Sequence, residues 1–160
     1  MKFSKDYLKN LDAEEHHVLV CGTGAALPFS FITHLYLVTV SGGEINRYDV
    51  IHHSEEESNT RNYLYKNYYQ PDEGILFFYR KRGKGEGLRS QPRVIEHLSY
   101  KDTEMVKQID EVCTNYPYRN NYKFWWPNCN TFVAWILQEV GIQQQLPWNA
   151  LGKAYAVKDQ

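Results

Sequence analysis

The sequence predicts an α+β fold in which an antiparallel sheet of about five strands packs against a helix over residues 129–140. Two observations lead to this prediction. Several segments rich in β-branched and aromatic residues come first, and two segments with apolar residues at helical spacing follow them. The β-rich segments are 17–21, 34–40, 44–51, 75–80 and 94–98.

The length and composition indicate one domain. The chain has 160 residues, so we expect a single domain over residues 1–160, in which residues 1–15 form a polar N-terminal arm. Its 18 basic and 19 acidic residues nearly cancel, which gives no electrostatic reason to expect a nucleic-acid partner. Three cysteines far apart in the sequence favour a reducing compartment over a disulfide framework.

The sequence contains no sign of a targeting signal, a membrane span or a metal site. No stretch approaches the ~18 continuous apolar residues of a membrane-spanning helix, and the first residues lack the apolar run of a signal peptide. We therefore expect a soluble, cytoplasmic protein, although an exported effector without a readable signal would have the same features. Zinc-binding Cys/His spacing is absent and Gly22-Thr23-Gly24 lacks the third glycine of a dinucleotide fingerprint, so no metal or cofactor is expected.

A hairpin is predicted where Gly42-Gly43 separates two β-rich segments. If these glycines form a two-residue turn, residues equally far from the turn pair with each other, and His34 lies opposite Ile51. Asp49 and His53 are then the diagonal neighbours of His34 on the same face of the sheet.

Two other arrangements of this hairpin are open. A slip of one residue would present Tyr48 and His52 to His34. Alternatively, the face that carries Arg47 and Asp49 is an ordinary solvated face with no role in a site.

The segments that follow the hairpin are less regular. The tyrosine-rich stretch 62–69 predicts one or two helical turns, and residues 75–80, apolar on both faces, predict a central strand. Residues 81–93 form a basic, glycine-containing loop. An amphipathic helix then starts at Asp102 or Thr103.

The last long helix has clear ends and one apolar face. Asn128 is a good helix cap and Gly141 a matching stop. Between them, Phe132, Val133 and Ile136 recur at helical spacing and predict the face that packs against the sheet.

Cys129 lies at the N-terminus of this helix, on the same face. The helix dipole and the free backbone N–H groups favour a thiolate there, and the thiolate is the nucleophilic form of cysteine. The other interpretation is a small cysteine buried in the core.

A nucleophilic thiolate needs a base, and His34 is the histidine best placed to serve because it opens a strand of the predicted sheet. Asp49 would orient His34 and stabilise its imidazolium, and His53 is the alternative for this third role. If Asp49 has only this role, Asp49→Asn should reduce turnover and leave the melting temperature nearly unchanged.

The motif Asn128-Cys129-Asn130-Thr131-Phe132-Val133 resembles the Asn-Cys-x-x-Phe-Val motif of the lecithin:retinol acyltransferase-like group. Members of that group are circularly permuted NlpC-type papain-like proteins, in which the histidine strand precedes the cysteine helix. His34 precedes Cys129 in the same order. The segment 146–153 is also similar to an uncharacterised bacterial domain family with a related Pro-Asn-x-Asn-Thr-Phe motif. The resemblance implies a permuted papain-like fold.

The resemblance also implies a cysteine hydrolase or acyltransferase that attacks an amide, an ester or a thioester through an acyl-enzyme. Its substrate would be a peptide, an isopeptide or an acyl lipid. The backbone N–H of Cys129 would contribute to an oxyanion hole. Tyr122, Asn128 and Trp126 are candidates for the oxyanion hole or the cleft, and Tyr122 matches a tyrosine of the permuted family. The neighbouring tryptophans are candidates for an apolar or aromatic substrate groove.

The alternative function is a catalytically weak or inactive papain-like module that binds a peptide, a lipid or a protein partner. It is open because the related bacterial family sometimes carries serine at the position of Cys129. Thiol reactivity separates the two functions, since a thiolate activated by His34 alkylates faster at neutral pH than an ordinary buried thiol.

Overall fold

The computed structural model of the protein describes residues 1–25, 31–52, 62–75 and 90–154. Within these residues, one five-stranded antiparallel sheet and three helices confirm the predicted α+β class. The elements are α1 (Lys5–Lys9), β1 (His16–Gly24), β2 (Thr33–Ser41), β3 (Glu44–Val50), β4 (Leu64–Lys66), β5 (Arg93–Tyr100), α2 (Glu104–Thr114) and α3 (Cys129–Glu139). Across the sheet, the strands follow the order β4-β3-β2-β1-β5.

The short strand β4 was not predicted. The helical prediction for 62–69 is wrong because Leu64 to Lys66 pair with β3, where Leu64 lies opposite Val50. Pairing with a neighbouring strand therefore overrides the local pattern, as is common for short segments rich in tyrosine. The predicted strand at 75–80 lies outside the described residues from position 76 onward.

The hairpin of β2 and β3 has the predicted register. Gly42 and Gly43 have positive φ angles of 57° and 81°, which suits the two-residue turn that favours glycine. Ser41 pairs with Glu44, and the ladder continues to the pair of Leu37 with Tyr48. The turn chemistry thus sets which residues of the two strands share a face.

One face of the sheet carries α2 and α3. As predicted, Phe132, Val133 and Ile136 are the fully buried contacts of α3 with this face. From the sheet, the face contributes alternate residues of β1, β2 and β3, namely Val18, Val20, Leu35, Leu37, Tyr48 and Val50.

The opposite face of the sheet has a smaller core. Leu19 and Cys21 of β1 meet Tyr36 and Val38 of β2 there, and Phe3 covers them from the N-terminal segment. Residues 1–15 are thus only partly a polar arm, because Phe3 is buried and α1 packs on this side through Tyr7 and Leu8.

Three properties of the described residues limit what the fold can hold. None of their helices is both long enough and apolar enough to cross a lipid bilayer. No group of three or more His, Cys, Asp or Glu side chains in these ranges could bind a metal ion. Cys21, Cys113 and Cys129 are all buried free thiols.

Candidate active site

The first turn of α3 is joined to the start of β2 by the side chain of Asn130. Its Oδ1 accepts a hydrogen bond from the N–H of Leu35 at 3.0 Å, and its Nδ2 donates to the carbonyl of Thr33 at 2.9 Å. These two bonds hold the backbone on either side of His34. The thiol of Cys129, which precedes Asn130, lies 3.7 Å from the same Oδ1. Asn130 therefore holds the first turn of α3, which includes Cys129, against His34 at the start of β2.

The helix start that presents Cys129 is built by Asn128. Its Oδ1 accepts from the N–H groups of Asn130 and Thr131, and the Thr131 hydroxyl accepts from the Asn128 N–H in return. This is a complete capping box, so the first turn is rigid. Cys129 is thereby fixed at the positive end of the helix dipole, as the sequence predicts.

His34 interacts with Cys129 at the end of the sheet. Burial alone would lower the pKa of His34, but the negative charge of Cys129 and hydrogen bonds to Asp49 and Cys129 raise it to about 10. Both side chains are buried, so their attraction is little screened by water. The contact with Cys129 and the hydrogen bond to Asp49 therefore both favour the protonated form of the imidazole.

The contact between His34 and Cys129 crosses from one face of the sheet to the other. His34 lies two residues before Tyr36 and four before Val38, so it is on the same face of β2 as these residues, which face away from α3. The ladder of β2 with β3 stops at Leu37, before it reaches the start of β2. His34 therefore lies beyond the β2–β3 ladder, where Asn130 joins α3 to the start of β2.

Asp49 holds the other side of the imidazole. His34 Nε2 lies 3.0 Å from Asp49 Oδ1, and both side chains are buried. Burial would raise the pKa of Asp49, but the hydrogen bond from His34 and the charge and hydrogen bonds of Arg47 lower it below its usual value. An ionised carboxylate only accepts, so Nε2 carries a hydrogen and Nδ1 is the nitrogen left for Cys129.

The burial of Arg47 and Asp49 shows that this face of β3 is not solvated, so that interpretation is wrong. Arg47 and Asp49 are 0% and 1% exposed, respectively, and Arg47 Nε donates to Asp49 Oδ2 at 2.6 Å. We therefore expect Asp49→Asn to lower stability, in place of the unchanged melting temperature expected from the sequence, since the substitution would leave a buried guanidinium without its carboxylate. Arg47 was missed because a hairpin arginine is usually exposed; its position two residues before Asp49, on the same strand face, was the available signal.

The alternatives for the third residue have different outcomes. His53 lies outside the described residues. His52, which the slipped register would present, is exposed and stacks on Tyr63 with ring centroids 5.6 Å apart. The observed register keeps Tyr48 on the face of α3, away from His34.

Tyr122 lies near the thiol as a partly buried wall. Burial raises the pKa of Tyr122, and the negative charge of Cys129 raises it further. Its ring packs against those of His52 and Tyr63 at centroid distances of 5.7 and 5.6 Å. Tyr63 and Tyr122 of this aromatic group pack against the same core cluster as Cys129.

Asn128 and Trp126, the other cleft candidates, pack around the helix start. Asn128 Nδ2 donates to the carbonyls of Phe124 and Leu151 at 2.8 and 3.1 Å, in addition to the cap bonds of Oδ1. Asn128 therefore serves as a structural cap, and its amide is not available to an oxyanion. Trp126 is partly buried and packs edge-on against Tyr118, with centroids 5.5 Å apart.

The tryptophans considered for a substrate groove differ in exposure. Trp125 is 65% exposed and Trp148 is 86% exposed. Both stand on segments that contact the α3 cap, since Gly152 lies against the carbonyl of Trp125 and the side chain of Asn128. The groove they would line stays a prediction.

The other two cysteines lie in the core. Burial raises the pKa of both Cys21 and Cys113. Cys21 contacts Tyr36 on the face away from α3, and Cys113 packs at the end of α2. Their surroundings favour the neutral thiol, in contrast to the histidine beside Cys129.

A family model described as "Protein of unknown function (DUF3750)" matches residues 22–155. The matched range contains His34, Arg47, Asp49 and Cys129. No curated protein and no solved structure matches the chain. Because the match covers most of the sequence, the chain belongs to the DUF3750 family.

Proposed function

We propose that the protein is a cysteine hydrolase or acyltransferase of the permuted papain-like type, with Cys129 as nucleophile, His34 as base and Asp49 as the group that orients the base. One observation carries this proposal. His34 lies between Cys129 and the buried Asp49, and both neighbours raise its pKa, to about 10 in total. The Asn-Cys-x-x-Phe-Val motif supports the same assignment.

The first chemical step forms an acyl-enzyme. The proton of the Cys129 thiol moves to Nδ1 of His34, and the sulfur forms a bond to the carbonyl carbon of an amide, ester or thioester. The bond from that carbon to the leaving group breaks, and His34 returns the proton to the departing nitrogen, oxygen or sulfur. Asp49 stabilises the imidazolium during this exchange.

The second step removes the acyl group. Water, or an acceptor hydroxyl or amine, gives a proton to His34 and attacks the acyl carbon. The bond from this carbon to the sulfur breaks, and the proton returns to Cys129. Water as the acceptor makes the protein a hydrolase, and another acceptor makes it an acyltransferase.

The backbone N–H of Cys129 is the first candidate for the oxyanion hole. The Asn128 cap bonds the N–H groups of Asn130 and Thr131, so the N–H of Cys129 is outside the cap. A donor at a helix N-terminus can stabilise the negative oxygen of a tetrahedral intermediate. Tyr122, beside the thiol, is the side-chain candidate.

Free thiols and substrate chemistry complete the proposal. Three buried free cysteines suit a reducing compartment, which we infer to be the cytoplasm. The substrate class is a peptide, an isopeptide or an acyl lipid, because each supplies a carbonyl that a thiolate attacks.

Mass spectrometry with a thiol-directed probe and a panel of acyl and peptide substrates tests the proposed function. We expect the intact protein to gain one acyl mass, located on Cys129, and Cys113→Ser to behave as the wild type. Cys129→Ser should give no acyl adduct. If Cys129 reacts no faster than a free cysteine and no substrate yields an adduct, the enzymatic proposal is wrong.

A further inference from the structure

Arg47 is a fully buried cation directly behind Asp49. Its Nε donates to Asp49 Oδ2 at 2.6 Å and its Nη2 to Oδ1 at 3.2 Å, so the guanidinium holds both oxygens at once. Oδ1 also accepts from His34 Nε2. This two-point contact fixes the plane of the carboxylate and directs Oδ1 toward the imidazole.

The rest of the guanidinium is also occupied. Its Nη1 donates to the carbonyls of Gln70 and Glu73, and its central carbon lies 3.7 Å from the ring centroid of Tyr36. Nearly every face of the group thus has a partner. The turn at 70–73 and Tyr36 hold Arg47 in position, and Arg47 in turn holds Asp49.

A need for stability alone does not explain this arrangement. Apolar residues of similar volume often replace a buried ion pair without loss of stability, because two charges are costly to remove from water. The charges here lie directly behind His34, where they affect the reacting pair.

Cys129, His34, Asp49 and Arg47 form a buried group that we call the charged cluster. With a neutral thiol and imidazole, the charges of Arg47 and Asp49 cancel. With a thiolate and an imidazolium, all four charges cancel. Because Arg47 is present, the cluster has no net charge on either side of the proton transfer, so neither state leaves an unbalanced charge in the interior.

We propose that Arg47 is a positioning residue of this site, which keeps Asp49 ionised and aimed at His34 so that the proton can move between His34 and Cys129. This inference rests on the function proposed above. Arg47 touches neither the reacting sulfur nor the substrate in this scheme and acts through Asp49.

The pH dependence of Cys129 reactivity reports this role. The hydrogen bond from His34 and the charge and hydrogen bonds of Arg47 together hold the pKa of Asp49 below its usual value although the carboxylate is buried. Without Arg47, its share of this effect is lost and Asp49 binds a proton at higher pH. The rate of Cys129 reaction with a thiol probe, plotted against pH, falls on the acid side; we call this fall the acid limb. In Arg47→Met, the acid limb should therefore move to a pH about 1–3 units higher.

Two further variants keep the test decisive if Arg47→Met does not fold. Arg47→Lys retains the positive charge but cannot hold both carboxylate oxygens, so the rate should fall about tenfold while the acid limb moves by less than about one unit. The double variant Arg47→Met/Asp49→Asn removes both charges. It should fold better than Asp49→Asn alone and still react slowly.

Arg119→Met is the matched control, because Arg119 is exposed and, within the described residues, its guanidinium donates a hydrogen bond to the carbonyl of Thr114 at the end of α2. It should have the wild-type rate and acid limb. If Arg47→Met folds with an unchanged acid limb, or Arg47→Lys matches the wild type in rate, the role of Arg47 is refuted. If wild-type Cys129 itself has no fast, His34-dependent reaction, the proposed function fails instead.

Discussion

Two groups that contain histidines lie at opposite ends of the same sheet face and surround their imidazoles with different neighbours. His34, at the start of β2, belongs to the charged cluster. His17 of β1 and His97 of β5 lie at the other end, where His97 Nε2 and His17 Nδ1 are 3.1 Å apart. His17 is as buried as His34, so burial does not separate the two groups.

The second group is a chain of hydrogen bonds whose protons can be assigned. His17 Nε2 lies 2.8 Å from the carbonyl of Asp12, which only accepts, so Nε2 donates and Nδ1 accepts. His97 Nε2 must then donate to that Nδ1, and the hydroxyl of Tyr7 donates to His97 Nδ1 at 3.0 Å. This arrangement, which we call the histidine chain, satisfies both imidazoles in their neutral form.

The difference between the groups comes from their neighbours. Burial lowers the pKa of His97 and a positive charge on His17 would lower it further, whereas a negative charge on Cys129 and the carboxylate of Asp49 raise the pKa of His34. The histidine chain uses a carbonyl and a hydroxyl, which satisfy neutral imidazoles. A histidine on a sheet therefore becomes a candidate base here only where a thiol and a carboxylate meet it.

The largest expected effect follows removal of the carboxylate from the charged cluster. Asp49→Asn leaves the buried Arg47 unpaired, and breaking such a pair costs about 3–5 kcal/mol of unfolding free energy. Urea denaturation measures this loss. The control Asp6→Asn breaks an exposed ion pair with Lys9 and should cost less than about 0.5 kcal/mol. Equal losses in the two variants would contradict the buried pairing.

Removal of the imidazole should slow the alkylation of Cys129. In His34→Ala, Cys129 loses its base, and an ordinary cysteine thiol, with a reference pKa of about 8.5, is only about 3% ionised at pH 7. We expect alkylation about 30-fold slower than in the wild type. His97→Ala is the matched change at the other end of the sheet face and should leave the alkylation rate unchanged. If both variants slow alkylation equally, His34 has no special role in activating Cys129.

The two groups should also contribute to stability in opposite pH ranges. The pKa of His34 is raised, so its contribution is complete below about pH 6.5, the usual histidine value, and is lost as the pH rises through about 10. The pKa of His97 is lowered, so its contribution is present above about pH 6.5 and is lost as the pH falls through its folded value. Unfolding free energies of the wild type, His34→Gln and His97→Gln across pH measure both slopes. Slopes of the same sign would refute the comparison.

The smallest expected effect comes from the end of the histidine chain. Tyr7→Phe removes the hydroxyl that donates to His97, and a single hydrogen bond contributes about 0.5–1.5 kcal/mol. The residue is only partly buried, so we expect a loss near the lower end of this range in urea denaturation. Cys129 alkylation should not change, and a change there would mean that the two groups are coupled.

Local signals were enough to predict the hairpin and the cysteine helix. Gly42-Gly43 determines the turn, and the turn determines which strand residues share a face. The proximity of His34 and Asp49 could therefore be predicted by pairing residues that are equally far from the turn. Likewise, Asn128 and the spacing of apolar residues defined the start and the buried face of α3.

The parts that were missed depend on partners far away in sequence. Arg47 is buried because carbonyls at 70–73 and the ring of Tyr36 surround it, and no local pattern reports such a neighbourhood. Asn130 joins α3 to β2 across almost a hundred residues. The catalytic roles of Cys129 and His34 remain predictions, since geometry identifies neighbours and only chemistry identifies a reaction.

The titration of His34 by NMR in the wild type and in Cys129→Ser tests the central claim most directly. The charge of Cys129 is the largest of the effects that raise the pKa of His34 to about 10, so replacing the sulfur with a neutral hydroxyl should lower it markedly. His97 should titrate at the same pH in both proteins. A His34 that titrates near pH 10 in the wild type and clearly lower in Cys129→Ser would support the thiolate–imidazolium pair. A His34 that titrates at the same pH in both would contradict it.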